Sequence, residues 1–207
     1  MKQLNVIDLD GTLLPYDSLA CWVRRFRAKR DTAIAFLWWS ALRRLGILKR
    51  SEFLRLALER ARGAKGYDAF TREFAAELLR DLDTNVQERI RTRSDPDTVN
   101  VLCSASPEDY VRLIAQALGW EYRASGFRAS GKWEHVYGPQ KAVLIQKDFP
   151  RERFRYHYAI ADSESDWPLL DLFLHQERWS RGTSSLSPTN KTPRDVVDHE
   201  KSEHDRE

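Results

Sequence analysis

Leu4-Asn5-Val6-Ile7-Asp8-Leu9-Asp10-Gly11-Thr12 is the stretch from which the chain is read. Leu4 to Ile7 is a short apolar run of the kind that forms a buried parallel strand. A strand ending in Asp8 and Asp10, followed by Gly11, places both acids at its C-terminal edge, where open α/β sheets bind ligands. Two carboxylates one residue apart repel each other in a dry pocket unless a divalent cation or a shared proton offsets the charge. A solvated Asp-Gly turn at the strand end is the plain alternative.

The rest of the composition sets the frame. A chain of 207 residues holds one α/β core with an insertion, or two small domains. Its hydrophobic content of 42% and charged content of 31% exclude a disordered polymer. Cys21 and Cys103 make no disulfide framework and lack zinc-site spacing, which fits a reducing cytosol. The first apolar run is too short for a signal peptide, and acids follow it at once. The longest apolar run, residues 33–42, is about half of the roughly 20 residues a span requires. A cytoplasmic protein with no transmembrane helix is expected.

Residues 14–82 read as helical throughout. Apolar groups recur at Leu19 to Val23, Ala33 to Trp39, Phe53 to Leu58, and Phe74, Leu78 and Leu82, with breaks at Gly46 and Gly63 to Gly66. The expected organisation is a Rossmann-like parallel sheet from residues 1–14 and 84–181, with a helical cap inserted at 15–83. Within the core, strands are expected at Val99 to Cys103, Glu121 to Ser125, Tyr156 to Ala161 and near Glu177 to Trp179. A hairpin is expected between Phe127 and Tyr137, and Ser106-Pro107 reads as a helix start. Residues 182–207 carry few large apolar side chains and are expected to be loosely ordered.

Strand ends now carry Asp8 and Asp10, then Ser104, then Asp162 with Asp166, and Lys141 opens a helix between the last two. A doubly wound sheet brings such ends to one edge. Acids there suit Mg²⁺, while a hydroxyl and an ammonium neutralise phosphoryl oxygens. Each residue alone has a plainer reading: Ser104 as a strand-end cap, Lys141 as a solvated helix residue, Asp162 as an N-cap.

The order Asp-x-Asp-Gly-Thr, strand-end Ser, helix-start Lys and Asp-x-x-x-Asp resembles the haloacid dehalogenase-like hydrolases over nearly all of residues 1–180. A helical cap between the first two motifs is similar to the phosphoserine phosphatase branch. Ser163 with Pro168-Leu169-Leu170, and Gly131-Lys132-Trp133 with Tyr137-Gly138-Pro139-Gln140-Lys141, resemble the bacterial phosphatidylglycerophosphatase C group, which dephosphorylates a lipid head group. Ala161 departs from the pattern, since many members carry Gly there. The resemblance implies that Asp8 is a nucleophile forming an aspartyl-phosphate and that Asp10 is the acid and base. It implies Mg²⁺ held by Asp8, the carbonyl of Asp10 and Asp162, with Asp166 ordering the ion's water shell or Lys141. Gly11, Thr12, Ser104 and Lys141 would contact the phosphoryl group. An acid at Asp10 favours ester hydrolysis over dehalogenation, because halide leaves without a proton.

The cap bears on the substrate. Between Pro15 and Lys65 stand thirteen Lys or Arg and four Asp or Glu, in a chain whose net charge is only +3. Basic residues flank Trp38-Trp39, a pattern that suits the surface of an anionic bilayer. It equally suits a cap helix buried on the catalytic domain with solvated arginines. No nucleic-acid motif accompanies the charge. The expected partner is a phosphorylated small molecule or lipid head group, with peripheral membrane contact through the cap. A soluble phosphatase of phosphoserine or another small metabolite, and a phosphate-binding protein without catalysis, are the alternatives.

Overall fold

A computed structural model describes residues 1–28 and 33–180. The tail expected to be loosely ordered lies outside the described residues, as do Lys29 and Arg30 of the basic segment. Six strands form one sheet: β1 (Lys2–Ile7), β2 (Val99–Pro107), β3 (Glu121–Phe127), β4 (Trp133–Glu134), β5 (Phe154–Ala161) and β6 (His175–Arg178). Their order is β4-β3-β2-β1-β5-β6, parallel throughout except for the antiparallel β4. The chain runs outward from β1 through β2 on one side and later returns to β5 on the other. The C-terminal end of β1 is therefore the switch point of the sheet, the place such folds bind ligands.

Four helices separate β1 from the rest of the core: α1 (Ser18–Ala28), α2 (Ala33–Arg44), α3 (Arg50–Arg62) and α4 (Tyr67–Arg80). α5 (Thr84–Thr92), α6 (Glu108–Leu118), α7 (Pro139–Asp148) and α8 (Trp167–Leu170) complete the layers. The breaks fall at Gly46 and between Gly63 and Gly66, as the sequence predicts. Asp83 closes the insertion: its side chain caps α5 by accepting from Asn85 N–H and Val86 N–H, and its own N–H donates to Leu13 O at 2.8 Å. The entry to this helical insertion and its exit are thus tied together beside β1.

Apolar side chains gather on both faces of the sheet. Ile7, Leu102 and Ile160 meet Trp22 and Phe26 of α1, Phe74 and Leu78 of α4, and Tyr110 of α6. Leu4, Val6, Val101 and Ala159 meet Leu144 and Ile145 of α7 and Leu169 and Leu170 of α8. Helices α1 and α4 thus share an apolar cluster with the sheet. Phe74 meets Tyr110 edge to face at 5.2 Å between centroids, and Tyr67 donates to Asp109 at 2.7 Å. Full burial of each such large side chain stabilises the docking by about 1.5–3 kcal/mol.

Two details depart from simple alternation. Leu4 pairs with Tyr156 but Asn5 with Tyr158, so His157 is an extra residue, and Tyr156 and Tyr158 turn to opposite faces. The expected hairpin is also shorter than its apolar run: the last residues of β3 form its first arm, and Trp133–Glu134 its second.

Candidate active site

Asp8 follows β1 directly, and its N–H donates to Ile160 O at 3.0 Å, which fixes the strand end against β5. The chain then doubles back, with Leu14 N–H donating to Leu9 O at 2.7 Å. Gly11 makes this turn possible in two ways. Its φ is +78°, and a Cβ placed on it would lie 2.0 Å from Asp162 Oδ2. The glycine of the first motif and the acid of the last are therefore packed against each other. Thr12 donates to Asp8 Oδ2 at 3.4 Å and is wholly buried.

Lys141 comes from the first turn of α7. Gly138, at φ 57° and ψ −133°, turns the chain into that helix, and Pro139 starts it. The buried ammonium donates to Asp8 Oδ1 and to Asp166 Oδ2, both at 2.6 Å. Burial alone would lower the lysine pKa, but Asp8 and Asp166 outweigh it and the value is raised. Burial pushes Asp8 up to about 7, with Lys141 opposing the rise and Asp166 adding to it. Asp166 closes a 3₁₀ turn, Glu164–Asp166, whose cap is Ser163 and not Asp162. Its other oxygen, Oδ1, is buried with no hydrogen-bond partner among the described residues.

Asp10 is held by a different set. Ser18 N–H donates to Oδ1 at 2.6 Å, Ser106 Oγ to Oδ2 at 2.6 Å, and Ser104 Oγ to Oδ2 at 3.4 Å. Behind them, Ser18 Oγ lies 3.2 Å from Ser106 Oγ and 2.9 Å from Tyr110 Oη. Burial raises the pKa of Asp10, and the bonds from Ser106 and Ser18 work against that rise. Ser18, Ser106 and Tyr110 were not legible as site residues. Ser106 reads as a helix cap from sequence, yet Pro107 occupies the N-cap position of α6 without a side-chain bond, and the Ser106 hydroxyl is spent on Asp10.

The sequence-predicted residues Asp8, Asp10, Gly11, Thr12, Ser104, Lys141, Asp162 and Asp166 thus lie around one sheet edge, linked by the contacts above. Their donor set is one of hard oxygens. Asp8 and Asp162 are both raised by burial, so their charge is incompletely compensated, and Asp166 Oδ1 is an orphan. Among the described residues no three His, Cys, Asp or Glu side chains form a metal cluster on their own. A cation here would need a backbone oxygen beside the Asp8 and Asp162 carboxylates, and a strand end supplies carbonyls. That oxygen set fits Mg²⁺.

Comparison with known proteins bears on this arrangement. The family model described as haloacid dehalogenase-like hydrolase matches residues 6–171. The chain belongs to that family. The matched span of this haloacid dehalogenase-like hydrolase includes Asp8, Ser104, Lys141 and Asp166 and the inserted helices α1 to α4. A solved protein of unknown function from Bordetella pertussis Tohama I is similar at 20% identity, over 85% of this chain and 89% of its own, with a TM-score of 0.67. A phospho-aspartyl intermediate analogue of phosphoserine phosphatase is similar at 16% identity, over 84% and 85%, with a TM-score of 0.51. A phosphoserine phosphohydrolase-like protein from Francisella tularensis subsp. tularensis SCHU S4 is similar at 17% identity, over 83% and 82%, with a TM-score of 0.50. At these identities the likeness is one of fold. No curated protein sequence matches the chain.

Proposed function

We propose that this haloacid dehalogenase-like hydrolase is a Mg²⁺-dependent phosphomonoester hydrolase working through an aspartyl-phosphate on Asp8. The observation that carries the reading is Asp10: a second, half-buried carboxylate two residues from Asp8, held by three donors and with a raised pKa. A hydrolase of phosphate esters needs such an acid, because an alkoxide leaves poorly without a proton. A neighbour of the same fold, described as a phospho-aspartyl intermediate analogue of phosphoserine phosphatase, supports the same chemistry.

An Asp8 carboxylate oxygen attacks phosphorus, the ester P–O bond breaks, and protonated Asp10 gives its proton to the departing alkoxide. Asp10, now ionised, takes a proton from water. The resulting hydroxide attacks the acyl phosphate, releasing inorganic phosphate and restoring Asp8. Lys141, held by Asp166, and Ser104 face the phosphoryl oxygens, together with N–H groups at Gly11 and Thr12. Asp8, the Asp10 carbonyl and Asp162 would hold Mg²⁺, which when bound supplies positive charge against the phosphoryl oxygens. Asp166 is thereby a positioning residue for Lys141.

On the leaving alcohol, a specific observation favours a lipid or lipid-linked phosphate. Leu37, Trp38, Leu45 and Ile47 are 52%, 64%, 72% and 67% exposed, close in sequence to the exposed Arg43 and Arg44. Apolar side chains beside cations suit an anionic bilayer surface. Among the described residues no helix is long and apolar enough to cross a membrane, so any contact would be peripheral. A small metabolite such as phosphoserine is the competing substrate. Phosphate release from aryl and alkyl phosphates, with and without Mg²⁺, tests the activity. Asp8→Asn should abolish it, and Asp10→Asn should harm alkyl esters more than aryl ones. Turnover that survives Asp8→Asn would overturn the mechanism.

A further inference from the structure

Where α3 meets the hairpin stands a group of donors that, among the described residues, pair with no carboxylate. Arg50 opens α3 directly after Lys49, and Glu52 in the same first turn is engaged by the Lys49 N–H, which donates to its Oε2 at 3.2 Å. Among the described residues Arg50 Nε is buried without a hydrogen-bond partner, and no carboxylate pairs with the guanidinium. The guanidinium lies over the Tyr137 ring at 5.7 Å, and Tyr137 stacks on His135 at 5.7 Å with 9° between the rings. Trp133 Nε1 donates to Ser51 at 3.1 Å, fastening the hairpin to the start of α3.

The histidine is also set to donate. Ser125 Oγ accepts from Val136 N–H at 3.0 Å and lies 3.1 Å from His135 Nδ1. Among the described residues that nitrogen is the acceptor within reach of the buried Ser125 hydroxyl, which leaves the ring proton on Nε2. Ser125 sits at the C-terminal end of β3, in register with Pro107 of β2, and Tyr137 and Gly138 lead into the turn that carries Lys141. Three donors, from Arg50, His135 and Tyr137, therefore stand together at the entry to the helix that carries Lys141.

We propose that Arg50, His135 and Tyr137 form a subsite for an anionic group on the leaving-alcohol side of the substrate, which is thus a phosphate monoester bearing a second negative charge. A half-buried guanidinium whose buried Nε has no partner among the described residues is stabilised by an anion that arrives with the ligand. The inference rests on the phosphatase reading. It leaves open whether the second anion is the carboxylate of a metabolite or the phosphodiester of a lipid head group, because the donors are the same.

Two aryl esters of matched leaving-group acidity test it: 4-ethylphenyl phosphate and the phosphate of 3-(4-hydroxyphenyl)propionate. The unsubstituted protein should favour the carboxylate-bearing ester in kcat/KM by about tenfold or more, chiefly through KM. In Arg50→Gln the ratio should fall to about one, and Arg50→Lys should restore part of it. If Arg50→Gln does not melt as a folded protein, His135→Leu reads the same ratio. A ratio near one in the unsubstituted protein, or one that survives these substitutions, overturns the subsite. No turnover of either ester overturns the phosphatase reading and the subsite with it. Deacylated and diacyl forms of a glycerol phosphodiester monophosphate separate the soluble source from the lipid one. Whichever is preferred should lose the same factor in Arg50→Gln, and an unchanged rate on both would also count against the subsite.

Discussion

Ser106 Oγ donates to Asp10 Oδ2 at 2.6 Å, joining two residues 96 positions apart. The bond aims the carboxylate, and it favours the ionised form. Hydrogen bonds to charged groups contribute about 1.5–3 kcal/mol, so Ser106→Ala should lower kcat on alkyl phosphates by roughly ten- to a hundredfold. The sign of the pH effect follows. Removing a donor to the carboxylate raises the Asp10 pKa further, so in the proposed mechanism the acid form that would protonate the alkoxide persists to higher pH. The alkaline limb of kcat should move upward in the variant. A profile that drops in height without moving would place Ser106 outside the control of Asp10.

Lys141 is buried between two acids, and its loss strands both. Breaking a buried pair by removing one partner costs about 3–5 kcal/mol. Lys141→Met should therefore lower the urea midpoint in metal-free buffer at pH 8. Asp8 is already raised to about 7 by burial with the ammonium present, and without it the value rises again. A carboxyl whose folded pKa exceeds its unfolded value costs stability above that range and recovers it as pH falls through the folded pKa. The deficit of the variant relative to the parent should shrink between pH 8 and pH 5. A deficit independent of pH would mean that lost packing, not charge, dominates.

Gly11 and Asp162 are the first and last motifs in contact, and Gly11→Ala separates them. The substitution places a Cβ 2.0 Å from Asp162 Oδ2 in a backbone conformation with φ +78°. Strain of about 1–3 kcal/mol is expected. The sharper effect falls on the displaced carboxylate. If Asp162 holds Mg²⁺, the concentration of Mg²⁺ giving half-maximal activity should rise by tenfold or more in the variant, a shift equivalent to about 1.4 kcal/mol. Loss of stability with an unchanged Mg²⁺ requirement would remove Asp162 from the metal site.

The strand ends that meet at one sheet edge were legible because each combines an apolar run with an acid, hydroxyl or cation, and parallel topology brings such ends together. Ser106 was not, because a hydroxyl before Pro107 and two acids satisfies the local rule for a helix cap. Only the fold reveals that Asp10 competes for it. The extra residue His157 was hidden for a related reason: a bulge changes alternation without a distinctive residue type. Trp38 and Trp39 look equivalent in sequence, yet Trp39 packs on Phe36 at 5.6 Å while Trp38 is 64% exposed. Composition could not tell which of the two faces solvent.

That asymmetry makes the membrane reading testable without disturbing the core. Trp39 is a poor probe, since removing it also removes a contact to the wholly buried Phe36. Trp38, Leu45 and Ile47 are exposed, and their replacement by Ser should leave the melting temperature nearly unchanged. If the cap rests on a bilayer, the triple variant should lose most of its co-sedimentation with vesicles rich in phosphatidylglycerol. Its activity on a lipid phosphate in those vesicles should fall by tenfold or more, while a soluble aryl phosphate is hydrolysed as before. Raising the salt to 0.5 M should weaken the parent's binding, because the arginine contribution is screened within about 10 Å or less. Full co-sedimentation by the variant, or equal loss on both substrates, would leave the basic cap as a solvated face and shift the substrate toward a small metabolite.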